Sequence, residues 1–347
     1  MFDLRDLEVP IIAAPMAGGP STPGLVIAAG HGGGIGFLAA GYKSPELLES
    51  EITAVAEAGI PFGVNIFTPG PPIRDRGAVQ RYRDALAPVA ERYGVHLPDI
   101  VDADDDHFDA KIDLVIERRV GLVSFTFGLP SVDVVGRLHD AGITVIATVA
   151  SVADADRAVA VGVDVLCVQG TEAGGHRGTL DLDATPNDTP TVDLVREVVS
   201  RNEVPVIAAG GVGDGRAVAA ALASGATAVQ IGTALLDSDE AGTNGVHRAA
   251  LRSPSSAETV VTRAFSGRPA RALRNSFVDT YDSLAPAEYP AVHHLTSPLR
   301  RAAVAAGERR DVNLWAGTSF ASIRGGSASD IIAELWSDAQ RGPEPVP

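Results

Sequence analysis

The sequence predicts an α/β fold: a closed (β/α)8 barrel of the TIM type, with an insertion after the third strand and a C-terminal helical extension over the barrel mouth. Eight short apolar runs alternate with segments that carry helix-start and helix-end signals, and most runs begin about 20–27 residues after the preceding one. Near-continuous apolar strands are typical of parallel sheets covered by helices. Eight alternating units favour a closed barrel over an open doubly wound sheet.

The eight predicted strands are rich in β-branched and apolar residues and are bounded by Gly, Pro or Asp. They cover residues 10–14, 35–39, 62–67, 122–127, 144–149, 164–169, 205–209 and 228–232. Catalytic loops of such barrels follow the C-terminal ends of the strands, so the residues directly after each run are the first candidates for a site.

The segments between the strands have recognisable helix ends. The side chains of four residues, Thr22, Ser44, Ser151 and Asp214, can cap helix N-termini, and the first two are followed by proline. A glycine precedes the next strand in five units, where a left-handed residue can end a helix. These glycines are Gly30, Gly59, Gly142, Gly162 and Gly225.

Two connections are enlarged, and the chain continues beyond the eighth strand. The insertion at about 68–120 contains a predicted helix over 78–93 and the acidic cluster 102–106, for which we prefer a solvated loop to a metal site. The second enlargement, 170–189, follows the sixth strand. We expect a barrel domain over 1–242, a helical segment over 243–340 packed on it, and a flexible tail over 341–347.

Composition and charge disfavour several classes of function. The chain has 44 acidic and 28 basic side chains, a net charge of −16, which disfavours nucleic acid and anionic membranes as partners. No apolar run is long enough to span a membrane, and the first ten residues lack a signal-peptide core, so we expect a cytoplasmic protein. The single cysteine, Cys167, excludes an intramolecular disulfide and a multi-cysteine metal site.

Glycine-rich turns follow the last two predicted strands. Gly210 and Gly211 come after the seventh strand, and Gln230, Ile231, Gly232 and Thr233 end the eighth. Backbone N–H groups that glycine leaves accessible, next to a helix start, bind anions, and many barrels hold phosphate at these two loops. A tight turn without a ligand is the alternative, but two adjacent glycine loops favour a phosphate ester.

The loop after the sixth strand places His176 among four glycines. With so little local apolar surface, His176 is not a typical core histidine, and its pKa range suits proton abstraction next to a carbonyl or nitro group. Gln169, at the strand end, can hydrogen-bond a planar heterocycle. Cys167 shares the face of Gln169 and so can approach the barrel mouth, although cysteines inside strands usually fill the core.

Two further strand ends suit a flat ring. Asn65 places an amide in the apolar third strand, and the polar edge of a flavin ring or a neighbouring loop would satisfy its hydrogen bonds. The turn that contains Met16 follows the first strand and has few bulky side chains, so it suits close contact with an aromatic ring system.

Together these segments resemble the nitronate monooxygenase family, formerly called 2-nitropropane dioxygenases, and in particular its class I members. The resemblance covers about residues 9–320 and runs through 14–19, 21–23, 63–65, 124–128, 169–176, 209–211, 230–233 and 265–271. It implies an FMN-dependent barrel oxidoreductase that uses O2 to convert an alkyl nitronate, such as propionate 3-nitronate, to a carbonyl compound and nitrite.

The resemblance also assigns roles to residues. It implies that His176 is the catalytic base and that FMN binds in the barrel domain, with no metal. The resemblance supplies most of the predicted cofactor-binding residues, and the turns after the first and seventh strands add Met16 and Gly210. The full set is Met16, Asn65, Gln169, Gly174, Gly210, Gly211, Gln230, Ile231, Gly232 and Thr233.

Thr126 departs from the family pattern, since class I members often carry histidine at this place in the fourth strand. A second histidine contact to the substrate is then absent from this strand, and Thr126 offers a hydroxyl group instead. A carboxylate-bearing substrate would need a local cation to offset the negative net charge, and Arg177 and Arg324 are the candidates. Trp315 is a candidate for contact with flavin or substrate, with core packing as its alternative role.

Other functions remain open at this point. An FMN-dependent, NAD(P)H-using reductase of the enoyl-acyl-carrier-protein or quinone reductase type shares the Gly-Gly-His loop, and the absence of a Gly-x-Gly-x-x-Gly motif discriminates only weakly. An enzyme like IMP dehydrogenase would need cysteine where this loop has histidine, and a noncatalytic flavin-binding protein would not need His176. The expected partners are a small nitronate and O2, and a homo-oligomer is left open.

Overall fold

Eight parallel strands form a closed barrel in the computed structural model, which describes residues 1–253 and 258–341. They are β1 (Ile11–Ala13), β2 (Ile35–Ala39), β3 (Phe62–Phe67), β4 (Leu122–Thr126), β5 (Thr144–Val149), β6 (Val165–Gln169), β8 (Val206–Ala209) and β9 (Ala228–Ile231). The strands follow each other around the ring, and β1 closes it by pairing with both β2 and β9. The predicted (β/α)8 barrel is confirmed.

Helices alternate with these strands and continue after the last one. Between the strands lie α1 (Pro23–His31), α2 (Pro45–Ala56), α3 (Arg76–Ala85), α4 (Ala87–Tyr93), α5 (Phe108–Glu117), α6 (Val132–Asp140), α7 (Val152–Ala160), α8 (Thr191–Val199) and α9 (Gly215–Ala223). The C-terminal extension contains α10 (Gly245–Leu251), α11 (Ser276–Tyr281), α12 (Ala291–Ala305) and α13 (Ala328–Arg341).

The predicted helix starts are confirmed, since the side chains of Thr22, Ser44, Ser151 and Asp214 all accept a hydrogen bond from a first-turn N–H. Of the five predicted end glycines, all but Gly30 have positive φ. Gly30 lies inside α1, and the chain turns at Gly33 (φ 83°) instead. A Cβ on Gly30 would lie 2.6 Å from Ile60 Cδ1, so the glycine allows close packing rather than a turn.

The barrel interior is filled by apolar side chains that include Ile12, Phe37, Leu122 and Ile207, with Leu4 packed against them. Cys167 belongs to this cluster, and burial raises the pKa of its thiol to about 12. It therefore fills the core, which is the usual role of a cysteine inside a strand, rather than approaching the barrel mouth.

The insertion contains two helices where one was predicted over 78–93. The break falls at Leu86, and Pro88 lies in the first turn of α4, where its missing N–H costs no hydrogen bond. Both helices pack against the extension in a hydrophobic core separate from that of the barrel. This second core includes Val79, Tyr82, Leu86, Val89, Phe265, Phe277, Leu295 and Leu299.

The acidic cluster of the insertion carries a buried ion pair. Lys111 Nζ lies 2.8 Å from an Asp106 carboxylate oxygen and donates to the carbonyl of Ala40, while Asp106 accepts from the backbone N–H of Tyr42. The pair thus binds the backbone at both ends of the segment 40–42, which follows β2, and holds Tyr42 in place.

The extension is not purely helical. Its strands β10 (Thr259–Thr262) and β11 (Ala270–Leu273) are antiparallel, and β7 (Gly175–His176), from the loop after β6, pairs with β11. The expectation of an all-helical segment was therefore incomplete, because the β-branched run at 259–262 forms a strand. The last helix, α13, packs against the barrel wall near α1 and α9, where Gly32 and Gly215 leave room for it.

The predicted flexible tail falls at the end of the described chain. Arg341 is the last residue of α13, and 342–347 lie outside the described residues. No helix in the described ranges is long and apolar enough to cross a bilayer.

Candidate functional site

A cavity of about 560 Å³ lies at the C-terminal ends of the barrel strands, where the sequence predicts a site. Strand ends and the turns after them supply one side, and α12 with the segment 313–319 supplies the other. Most predicted site residues line it: Met16, Asn65, Gln169, Gly174, His176, Gly210, Gly211, Gln230, Gly232 and Thr233. Ile231 does not, because neighbouring strand residues face opposite ways and its side chain is buried in the barrel wall.

The turn after β8 needs glycine at two successive positions. Gly210 and Gly211 have φ values of 114° and 73°, and a Cβ on Gly211 would lie 3.2 Å from Glu172 Cβ. The helix α9 begins just after this turn, with Asp214 as its N-cap. A Cβ on Gly232, by contrast, would meet only Ala14 and Met16, at 3.5–3.6 Å. These turns leave room for an anionic group beside a helix N-terminus.

The amide groups at the strand ends are hydrogen-bonded within the protein. Asn65 Nδ2 donates to the Ser124 hydroxyl at 2.9 Å and to the Thr126 hydroxyl at 3.0 Å. Gln169 Nε2 donates to the carbonyl of His176, and Gln169 Oε1 accepts from the N–H of Gly178. Gln169 thus holds the loop that carries His176 through both ends of its amide.

His176 lies in β7 rather than in a free glycine loop. Its backbone pairs with Ala270, and its ring packs at 5.2 Å from the Phe127 ring and 5.4 Å from the Trp315 ring, centroid to centroid. The neighbouring residues offer little apolar surface, as expected, but distant parts of the chain supply it, so the inference that His176 lacks apolar packing was wrong. Trp315 packs against other aromatic rings, as its alternative role predicts, and it also lines the cavity. Its contact with flavin or substrate stays a prediction.

The hydroxyl of Ser266 defines the orientation of the His176 ring. His176 Nε2 lies 2.8 Å from Ser266 Oγ, which also contacts the carbonyl and the N–H of Arg268 at 3.2 and 3.3 Å. All three contacts are hydrogen bonds only if the hydroxyl donates to the Arg268 carbonyl and His176 Nε2–H donates to Ser266. Nδ1 of His176 then carries the free lone pair.

Burial lowers the pKa of His176 to about 3, and the positive charges of Arg268 and Arg300 add to this effect. The imidazole is therefore neutral at physiological pH. It is always available to accept a proton at Nδ1, but it is a weak base.

The sequence analysis missed the part of the site that α12 supplies. His293 stacks on Tyr42, with 3.9 Å between ring centroids, and Ser297, Arg300 and Arg301 also line the cavity. The four-residue spacing of His293, Ser297 and Arg301 places them on one helix face, which was the available signal. The two arginines predicted to meet an anionic substrate are elsewhere: buried Arg177 donates to the Gly170 carbonyl, and Arg324 pairs with Glu334.

A second buried histidine in the cavity wall makes stability depend on pH. His247 is 5% exposed and donates from Nε2 to the carbonyl of Trp315; burial lowers its pKa to about 4. The unfolded histidine takes up a proton below about pH 6.5, but the folded one does so only near pH 4. The contribution of His247 to stability is therefore constant above pH 6.5 and falls by about 3 kcal/mol as the pH drops towards 4.

We expect the variant His247→Gln to show a smaller fall in thermal midpoint between pH 7 and pH 4.5 than the unchanged protein. His31→Gln, at the exposed end of α1, is the matched control and keeps the full fall. The same fall in both variants would show that His247 does not carry this pH dependence.

Comparisons with known proteins agree with this architecture. A family model described as "Nitronate monooxygenase" matches residues 3–338. A "Probable nitronate monooxygenase" from Staphylococcus saprophyticus is 37% identical over 343 residues, covering 97% of this chain and 96% of the relative. One from Staphylococcus aureus strain MSSA476 is 37% identical over 342 residues, covering 96% and 95%.

Two solved structures extend the comparison. A nitroalkane oxidase from Streptomyces ansochromogenes is 43% identical with a TM-score of 0.94, covering 97% of this chain and 98% of that one. FabK from Thermotoga maritima is 27% identical with a TM-score of 0.75, covering 97% and 94%. The match over nearly the whole length, to the family model and to relatives above 30% identity, shows that the chain belongs to the nitronate monooxygenase family of oxidoreductases.

Proposed function

We propose that the chain is an FMN-dependent monooxygenase that uses O2 to convert alkyl nitronates to a carbonyl compound and nitrite. The observation that carries this proposal is the neutral imidazole of His176 in a cavity that has glycine turns after β8 and β9 and arginine side chains on α12. The family membership and the similarity to a nitroalkane oxidase support the same reaction.

The size of the cavity and the turns that bound it support FMN as the cofactor. Its volume of about 560 Å³ is within the usual range for cofactor sites. The turns at Gly210–Gly211 and Gly232–Thr233 would hold the phosphate, and Asn65 and the turn at Met16 would contact the ring. When bound, FMN would accept electrons from the substrate and pass them to O2.

The charges in the cavity favour a nitronate over the neutral nitroalkane. A nitroalkane must first lose its α-proton, and we assign the removal of that proton to Nδ1 of His176. A base with a pKa of about 3 is far from the operating pH and removes that proton inefficiently. A nitronate has already lost the proton, and the two arginines of α12 that line the cavity, Arg300 and Arg301, would stabilise its negative charge. We therefore expect kcat/KM to be higher for a nitronate than for its nitroalkane.

The test is turnover of propionate 3-nitronate in air by the FMN-loaded protein without NADH. We expect O2 consumption and nitrite release well above the rate with free FMN at the same concentration. A protein that leaves the nitronate unchanged but reduces an enoyl thioester or a quinone with NADH would instead be a reductase, as the similarity to FabK would then explain.

A further inference from the structure

We infer that Phe127 is a specificity-determining residue: its ring forms the apolar end of the substrate cavity and limits the length of the alkyl chain that the enzyme accepts. Arg268, which lies over this ring, is the residue that positions it. The inference rests on the proposed function for the kind of substrate, but the chain-length limit can be tested without the reaction.

The side of the cavity next to β3 and β4 is apolar. Phe67 ends β3 and Phe127 follows β4; both line the cavity, with 4.5 Å between their ring centroids. The hydroxyl groups beside them are used within the protein, since Thr126 Oγ1 accepts from Asn65 Nδ2 at 3.0 Å and donates to Thr148 Oγ1 at 3.4 Å. A substrate therefore meets aromatic rings on this side, and such a surface suits an alkyl chain.

The aromatic wall formed by Phe67 and Phe127 lies across the barrel from the glycine turns. In the ring of eight strands, β3 and β4 are opposite β8 and β9, which carry the turns proposed to hold the phosphate. The ring of Phe127 lies 5.2 Å from the ring of His176, centroid to centroid. A short alkyl chain on a carbon atom that reacts at His176 would therefore reach Phe127.

The backbone of Phe127 has a conformation that is unusual for a bulky residue. Its φ is 77°, in the left-handed region that favours glycine. Such a conformation persists only where the surrounding contacts fix it, and it is found most often at functional sites. The ring of Phe127 is buried and packs against Phe67, His176 and Tyr289. Contacts with three aromatic rings thus fix its position at the cavity wall.

Arg268 holds this strained residue in place. Its Nη2 donates to the Phe127 carbonyl and its Nη1 to the Thr179 carbonyl, both at 3.0 Å. Its Cζ also lies 4.4 Å from the centroid of the Phe127 ring, a cation–π contact that is strongest where water is excluded. Phe127 lines the cavity, whereas Arg268 is buried outside it. Arg268 therefore acts on the substrate only through Phe127.

The kinetic test uses FMN-loaded protein and straight-chain nitronates from ethyl to hexyl nitronate. We expect kcat/KM of the unchanged protein to rise with each added CH2 until the chain meets Phe127, and to fall beyond that length. Phe127→Leu should raise the ratio of kcat/KM for hexyl nitronate to that for ethyl nitronate at least about tenfold, as for added room in an apolar pocket. Phe125→Leu is the matched control and should leave this ratio unchanged, because Phe125 lies in the same strand but is buried in the barrel wall, outside the cavity.

Arg268→Met tests the positioning role, because it removes the donors to both carbonyls and keeps an apolar side chain. We expect it to raise the same ratio, and to add nothing to the effect of Phe127→Leu in the double variant, since the two residues act as one unit. Arg268→Lys keeps a cation and should restore part of the chain-length limit. Nitronates suit this test because they need no general base, so an effect of the Arg268 charge on His176 does not enter.

A binding test separates the wall from the reaction. Straight-chain carboxylates from acetate to octanoate have a two-oxygen anionic head like that of a nitronate, and their binding is followed by the flavin absorbance change of the FMN-loaded protein. We expect the affinity of the unchanged protein to rise about fourfold per buried CH2 and then to fall once the chain meets Phe127. In Phe127→Leu the fall should begin at a longer chain. This test needs no turnover, so it examines the limit even if no nitronate is oxidised, and the unchanged protein suffices if a variant does not fold.

Three results would contradict the inference. An affinity that keeps rising through octanoate in the unchanged protein would show that the cavity is open on the side of β4. A ratio of kcat/KM that Phe127→Leu and Phe125→Leu change equally would show that Phe127 does not set the limit. An equal loss for all nitronates in Arg268→Met, with the ratio unchanged, would overturn the positioning role of Arg268.

Discussion

Replacing His176 by alanine is expected to lower kcat/KM for 1-nitropropane by about 10²-fold, the low end of the usual contribution of a positioned general base, because its lowered pKa makes it a weak base. The loss for propyl 1-nitronate should be below about tenfold, because the nitronate has no α-proton for Nδ1 to remove. Both rates are measured by O2 consumption, and flavin reduction without O2 isolates the step that His176 assists. His31→Ala, at the exposed end of α1, controls for loss of a histidine.

Equal losses on the two substrates would contradict the assignment of His176 as the base. The pH dependence gives an independent check. Because the pKa of His176 is lowered to about 3, the base stays unprotonated down to that pH, and the rate with 1-nitropropane should show no loss attributable to His176 near pH 6.5. A loss centred near pH 6.5 that disappears in His176→Ala would show that the imidazole titrates normally.

The barrel could be predicted from sequence because each of its strands and helices is recognised from residues that lie close together in the chain. A strand such as 62–67 is recognised from its own residues, and caps such as Ser44 act within one helical turn. Gly30 shows the limit of this reasoning. Its neighbour Ile60 comes from the next helix–strand connection, so the reason for glycine there is visible only after packing.

The site could be predicted only where strand ends supply it. The environment of His176 depends on Ser266, 90 residues away, and on Trp315 still farther along the chain. In the sequence, nothing distinguishes Arg300 from the many arginines that lie on the surface. Its place in the cavity wall follows from the packing of α12 over the barrel, which no local pattern indicates. The substrate side of the cavity was therefore missed, while the glycine turns were found.

The glycine turn after β8 gives a second large expected effect, on cofactor binding. Gly211→Ala places a side chain at φ 73°, which costs about 1–2 kcal/mol in backbone strain, and pushes its Cβ against Glu172. Both changes move the N–H groups that would face the phosphate. We expect the Kd for FMN to rise at least about tenfold, measured by the quenching of flavin fluorescence on titration.

Gly142→Ala is the matched control for this experiment. Gly142 has nearly the same φ, 77°, a Cβ there would meet nothing within 4 Å, and it lies between α6 and β5, at the opposite end of the barrel strands from the cavity. Both variants should lose stability through the left-handed strain, and Gly211→Ala should lose somewhat more through its contact with Glu172, but only Gly211→Ala should bind FMN more weakly. If the two variants bind FMN equally, the turn after β8 is a structural turn and the phosphate is held elsewhere, because strain alone would then account for every effect of the substitution.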